Sequence, residues 1–287
     1  MSLKNKLKEF ALEKGLEYGI GSAEPFYEYK DILTKPVPFV SYTYEERLDP
    51  SLALEGAKSL IAIGLSYNFE FNKPTDKELY VRLSQGAIGR DYHLVMGELL
   101  KELCHLLFDN TTERYIYFCD TGPLSDSLVA LRCGLGCRGL NNAVINDKLG
   151  AMFFIGYIIT TAEIEPSPKP TNKCTGCKKC LYACPTGAIS QKGFDYKRCV
   201  AYLTQYKGEI AHELKGAMGS FIYGCDICRT VCPLNPEPAE KEGCAYPEAK
   251  KLLSLSNREF KELYGDTAMG WRGKNTIIRN TLIALGN

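Results

Sequence analysis

The sequence predicts an α/β (α+β) domain over residues 1–165, an appended bacterial ferredoxin-like two-cluster domain over 166–236, and a short helical tail over 237–287. Three observations predict it. Helical and strand periodicities alternate through the first 165 residues. Eight cysteines crowd into residues 174–232 at ferredoxin spacing. Two proline-rich stretches, EIEPSPKPTNK (163–173) and PEPAEKEG (236–243), bracket that block and read as a linker and a hinge.

Taken in order, Ser2 caps a first helix with Leu3, Leu7, Phe10 and Ala11 on one face, ended by Gly15. LEYGIGSAE reads as a strand and loop, and residues 25–50, rich in Pro, Tyr and Glu, as irregular. GAKSLIAIGLSYN (56–68) is a turn feeding a fully buried strand. RDYHLVMGELLKELCHLL (90–107) is a helix with Val95, Leu99, Leu103 and Leu106 along its stripe. RYIYFCD (114–120) is a strand ending on Asp120, TGPLSDSLVALRCG a turn and short helix, and AVINDKLGAMFFIGYIIT two strands joined by a tight turn. In the tail, Ser256-Asn-Arg-Glu259 is a capping box opening one helix, and NTIIRNTLIALGN is a second.

The cysteines carry the chemistry. Cys174, Cys177, Cys180 and Cys184-Pro185 give C-x2-C-x2-C-x3-C-P, the bacterial ferredoxin run for [4Fe–4S] clusters. Cys199, Cys225, Cys228 and Cys232-Pro233 form a second, stretched set. Three sulfurs two residues apart wrap one cluster from a tight loop, and the fourth ligand comes from the other run. That assigns Cys174, Cys177, Cys180 and Cys232 to one cluster, and Cys184, Cys199, Cys225 and Cys228 to the other. Paired zinc sites also use C-x2-C units, but rarely this run. The remaining five cysteines (Cys104, Cys119, Cys133, Cys137, Cys244) lack metal spacing and read as buried small hydrophobes.

Composition bounds the rest. The chain has 287 residues, 45% apolar, with a net charge of +1, so no global nucleic-acid signal exists. Locally, Lys169–Cys232 carries ten Lys/Arg against four Asp/Glu, an excess that would balance the charge of two thiolate-bound clusters. The N-terminus has no apolar signal region, and the longest apolar run, AMFFIGYIITTA, is too short to span a bilayer. A cytoplasmic, reducing location is expected.

Asp120 closes a buried-looking strand at an end where α/β folds place ligands, and apolar neighbours would keep its carboxyl protonated as a general acid. The alternative is an Asx-turn cap bonded to its own backbone. His93, in the first turn of a helix, is an ordinary surface or core residue by the same standard. Gly134-Leu-Gly136-Cys-Arg-Gly139 spells G-x-G-x-x-G but follows a helix, so it reads as a turn before a strand and not as a dinucleotide fingerprint.

EERLDP (45–50), GRDYH, DTGPL (120–124), the cysteine runs, RCVAYLTQYKGEI (198–210), YGCDICRTVCPLN (223–235) and the tail RNTLIALGN together resemble the epoxyqueuosine reductases, cobalamin-dependent iron–sulfur enzymes of tRNA modification. The resemblance covers almost the whole chain. It implies a corrinoid-binding-type first domain, cobalamin fed with electrons by the two clusters, and reduction of the epoxide of epoxyqueuosine in tRNA to queuosine. It implies Asp120 as proton donor, Arg47, Asp120 and the Asp226 region beside the corrinoid, and an external low-potential electron donor. The chain departs from the family pattern at Ser127, Cys137, Leu140, Ala151 and Ala201, which removes two positive charges and several hydrogen-bond donors from the corrinoid and substrate region. Two other readings keep the cysteine block: another corrinoid-dependent reductase of the reductive-dehalogenase kind, and a non-catalytic two-cluster electron-transfer protein.

Overall fold

The structure, a computed structural model, describes every residue except 1, 34–37, 73, 75–79, 172 and 241–242. Parts of the 25–50 loop and of both proline-rich stretches therefore lie outside the described residues. Compact packing divides the chain into two units. The first comprises residues 1–66, 93–139 and 143–174; the second 67–92, 140–142 and 175–287.

The first unit is built on a four-stranded sheet of β1 (Glu17–Ser22), β2 (Ser59–Ser66), β3 (Tyr115–Phe118) and β4 (Phe153–Thr160), in the order β1-β2-β4-β3. Every pairing is antiparallel, so the unit is α+β in the strict sense. The crevice rule for open parallel sheets therefore does not locate its site. Successive side chains on β2 and β4 go to opposite faces. On one face Leu60, Ala62, Tyr157 and Ile159 join a core with Leu128, Val129 and Ala130 of α3 (Asp126–Arg132). The other face meets α2 (Tyr92–Phe108) at Gly156, where an added Cβ would lie 2.6 Å from Met96 Cγ.

That close approach sets the register of α2. Its buried residues are Met96, Leu100, Leu103, Cys104, Leu107 and Phe108. Of the expected stripe only Leu103 holds, and Leu106 is exposed. The helix is apolar on several adjacent stripes, and the glycine notch in β4 chooses among them. At the N-terminus, α1 (Leu3–Lys14) has the expected ends: Ser2 Oγ accepts the Asn5 N–H, and Gly15 is left-handed.

The stretch expected to be a linker is instead tied down within the first unit. Ser167 Oγ accepts the Ile20 N–H at 3.1 Å, the Ser167 N–H bonds Ile20 O, and Ser59 Oγ accepts the Ile164 N–H. Nor do AVINDKLG and FFIGYIIT pair as a hairpin. Val144–Ile145 pairs with Cys137–Arg138, and only Asn146 bridges to Gly150. The glycine-rich run is, as expected, a helix end and turn: Gly134 is left-handed just after α3, and the short strand Cys137–Arg138 follows.

The second unit holds the cysteine helices α4 (Lys179–Ala183), α5 (Val200–Leu203) and α6 (Ile227–Thr230) and the tail helices α7 (Ala249–Ser254), α8 (Asn257–Tyr264) and α9 (Lys274–Leu285). The tail is not a separate domain. Leu252, Phe260, Met269 and Ile277 share one core with Val81, Leu83, Ile222 and Tyr223. The expected hinge is likewise integrated: Ala239–Glu240 pairs in parallel with Phe69–Glu70, and Asn68 Nδ2 donates to Pro236 O. The capping box at Ser256 and Glu259 forms as expected.

Candidate functional site

In the second unit, α4 and α6 pack against each other and bring the two cysteine runs together. Cys199 faces Cys184 and Cys225, and Cys228 faces Cys225, Cys199, Cys184 and Cys180. Each thiol has its own surroundings. Burial opposes ionisation of Cys184, but the Thr186 hydroxyl at 3.6 Å and the main-chain N–H groups of Ile189, Thr186 and Ala188 outweigh it and hold the thiol below its ordinary range. Burial pushes Cys199 up, and Cys225 and Cys228 to about 12, against main-chain N–H groups of residues 201 and 202 at Cys199 and of 227 at Cys225.

Half-buried sulfurs facing N–H donors suit iron, which deprotonates a coordinating thiol outright and leaves its negative charge to the donors. Among the described residues no three His, Cys, Asp or Glu side chains converge on a single-ion site. A cubane needs no such convergence, since each of its thiolates binds a different iron. None of the thirteen cysteines is in a disulfide. Cys177 is exposed, and the Lys179 N–H lowers its thiol below the ordinary value. Cys174 belongs to the first unit by packing, whereas Cys177, Cys180 and Cys232 belong to the second.

Of the five other cysteines, Cys104, Cys119 and Cys133 are buried as expected. Cys244 is exposed and Cys137 half-buried, which corrects that reading for both. Cys137 starts a two-residue strand whose thiol takes a hydrogen bond from the Cys174 backbone, and Cys244 sits beside the second proline-rich stretch.

A half-buried cation accompanies the second cysteine run. The Arg229 guanidinium donates to the Tyr67 hydroxyl at 2.8 Å, and that hydroxyl, Cys228 and Asp226 hold it charged against the effect of burial. Burial pushes the Tyr67 phenol up to about 12 in spite of Arg229. Asp226 is buried and its carboxylate takes the Gln85 N–H, so its side chain serves this local network. Asn141 Nδ2 donates to the Cys228 carbonyl at 3.1 Å.

Asp120 lies in the first unit, just past β3, in the left-handed region at φ 59. A non-glycine residue held there costs about 1–2 kcal/mol, so something must hold it. Its main-chain N–H donates to Asp126 Oδ2 at 2.7 Å. The loop that follows is pinned to β4: the Tyr157 hydroxyl accepts the Leu124 N–H and donates to Leu124 O, and a Cβ on Gly122 would lie 2.0 Å from that hydroxyl. The Tyr42 hydroxyl donates to Thr121 O, tying the chain just before the EERLDP segment to the same loop.

The Asp120 side chain is 64% exposed, with Oδ2 3.5 Å from His93 Nε2. The raised carboxyl expected at Asp120 is found instead at Asp126, which is half-buried. Burial, reinforced by the charge of Asp120, pushes the Asp126 carboxyl up to about 8. No residue pattern marks this, because an acid in the first turn of a helix is ordinary.

Arg47 is buried in the helix Tyr44–Leu48 and donates Nη1 to Leu33 O at 3.0 Å, its one side-chain hydrogen bond among the described residues. Of the departures from the family pattern, Ser127 bonds Ser125, Ala151 is fully buried, Leu140 is exposed, and the Ala201 N–H serves Cys199. Among the described residues no helix is long and apolar enough to cross a membrane.

Comparison with known proteins matches both parts of this arrangement. Residues 47–121 match the family model described as epoxyqueuosine reductase QueG, DUF1730, and residues 173–235 match a 4Fe-4S double cluster binding domain. An epoxyqueuosine reductase from Bacillus cereus is 38% identical over 288 residues, covering 94% of this chain and 76% of its own. One from Lactococcus garvieae is 35% identical over 305 residues, covering 100% and 87%. Among solved structures, the epoxyqueuosine reductase from Streptococcus thermophilus superposes with a TM-score of 0.93 at 34% identity, covering 99% of this chain and 81% of that one. A second, solved with an epoxyqueuosine-modified tRNA-Tyr stem loop, gives 0.92 at 36%, covering 99% and 80%. A third, from Bacillus subtilis, gives 0.90 at 35%, covering 99% and 81%, and has its catalytic loop swung out of the active site. The double-cluster match fixes two [4Fe–4S] clusters as the metal cofactors, and with identity above one third over nearly its whole length the chain belongs to the epoxyqueuosine reductase family of iron–sulfur oxidoreductases.

Proposed function

We propose that the chain reduces epoxyqueuosine in tRNA to queuosine, using two electrons and two protons and releasing the epoxide oxygen as water. The observation that carries this reading is the Asp120 loop. It presents a carboxyl from a strained, doubly pinned turn, in a chain 36% identical to an enzyme solved with the modified stem loop. The eight cysteines hold the two clusters as Cys174, Cys177, Cys180, Cys232 and as Cys184, Cys199, Cys225, Cys228, and take electrons singly from a low-potential donor. The first domain is of corrinoid-binding type.

Cobalamin, when bound, supplies a low-valent cobalt whose reducing power no side chain can match. Within the first unit, the guanidinium N–H groups of Arg47 beyond the one given to Leu33 would suit a ligand bearing amide arms. Asp120 delivers a proton to the departing oxygen, a step worth about 10²–10⁴-fold in rate. His93, 3.5 Å away, is placed to return that proton from solvent.

The test begins with anaerobic protein carrying about eight irons, as two cubanes require, titrated with cob(II)alamin and followed by visible and EPR spectra. Saturable binding with an altered cobalt signal is expected. Cluster-loaded protein that leaves the cobalt spectrum unchanged would overturn the corrinoid reading.

A further inference from the structure

Asp126 takes no part in the chemistry assigned above, yet it is the group on which the Asp120 loop is hung. It opens α3, six residues beyond Asp120, and its Oδ2 accepts the Asp120 main-chain N–H at 2.7 Å. That bond closes the turn in which Asp120 is left-handed, and the Tyr157 hydroxyl, bonded to both the N–H and the carbonyl of Leu124, fastens the other end. We propose that Asp126 is a positioning residue for Asp120: its carboxyl group holds the Asp120 amide and so sets where the Asp120 side chain is presented. This rests on the reading of Asp120 as the proton donor.

The groups facing Asp126 are Asp120 on the loop, His93 on α2 and Tyr157 on β4, with Tyr42 and Cys119 beside Tyr157. Asp126 is therefore a desolvated acid next to a second acid, and burial with the Asp120 charge raises it to about 8. The charge of Asp120 raises the Asp126 carboxyl more than the Asp120 amide lowers it. Closing the loop onto Asp126 therefore favours the protonated carboxyl, and by linkage the loop is held more firmly below about pH 8 and loosens as pH rises through it.

The experiment is hydrogen–deuterium exchange on cluster-loaded, full-length protein, reading peptides that cover residues 119–125 from pH 6.5 to 9 with intrinsic rates corrected. In the parent protein, protection of the Asp120 amide should step down as pH rises through about 8. Asp126→Asn keeps an acceptor oxygen but cannot ionise, so protection should persist and the step vanish. Asp126→Ala should lose protection at every pH and lower kcat on the modified stem loop by roughly 10–100-fold, with KM little changed. Circular dichroism and iron content establish that each variant is folded. Protection of residues 119–125 in Asp126→Ala equal to the parent's, or a pH step that survives in Asp126→Asn, overturns the proposal. Retained activity in Asp120→Asn would instead sink the proton-donor reading while leaving the exchange result to stand by itself.

Discussion

Asn280 is the residue whose loss should disturb the cluster-bearing unit most for the fewest atoms removed. It is wholly buried in α9 and its Nδ2 donates to two main-chain carbonyls, Thr204 O and Ile222 O, each at 2.7 Å. Its Oδ1 accepts from Arg279 Nε and Nη2, and Arg279 in turn bonds the carbonyls of Leu203, Tyr206 and Gly208. Those carbonyls belong to the segments that follow Cys199 and precede Cys225, and Thr204 Oγ1 also accepts the Gly224 N–H at 3.0 Å. Asn280→Ala strands two buried acceptors at about 1–3 kcal/mol each; entry of water into the vacated space would offset part of that. A net loss of about 3 kcal/mol follows, and at about 2–4 °C per kcal/mol for a body of this size the unfolding midpoint falls by about 6–12 °C. Thermal unfolding of the cluster-loaded protein measures it, and release of iron to a chelator should quicken in parallel, because the loosened segments carry two of the eight ligands. A midpoint within about 1 °C of the parent's, with unchanged iron release, would refute the reasoning.

Other predictions rest on single contacts. Arg229→Gln removes the half-buried cation beside Cys228, so the midpoint potential of one cluster should move to more negative values in EPR-monitored titration while the other stays put; Arg229→Lys should move it less. Tyr67→Phe deletes the phenol that accepts from Arg229 and should shift the same cluster in a direction fixed by the loss of that one hydrogen bond, visible in its EPR line shape. Gly122→Ala drives a methyl group into the Tyr157 hydroxyl and should lower kcat without changing iron content.

Several elements were plain in the residues. Ser2, Gly15 and the Ser256–Glu259 box act through their own side chains or glycine's freedom at a helix end, and they form where local chemistry places them. The β2 strand, apolar on both faces, could only be buried on both. The cysteine block was legible because cluster ligation fixes both spacing and residue type. What stayed hidden was long-range. The direction of strand pairing leaves no trace in a short apolar run, so an antiparallel sheet read as an α/β layer. Residues 67–92 precede the cysteines by about a hundred positions yet pack in their unit, and no composition shift announces it. Prolines marked 163–173 and 236–243 as connectors, but their main chain is hydrogen-bonded to neighbouring elements. At the site Asp120 was expected among apolar neighbours, whereas its side chain is 64% exposed and the carboxyl raised by desolvation is Asp126, six residues on.

The account stands or falls on turnover. Cluster-loaded, cobalamin-treated protein should be incubated anaerobically with an epoxyqueuosine-containing tRNA stem loop and a strong one-electron reductant, and the digested nucleosides resolved by mass spectrometry. The account predicts conversion of epoxyqueuosine to queuosine, abolished in Asp120→Asn with both clusters retained. Protein with a full complement of iron and bound cobalamin that leaves epoxyqueuosine untouched would contradict it.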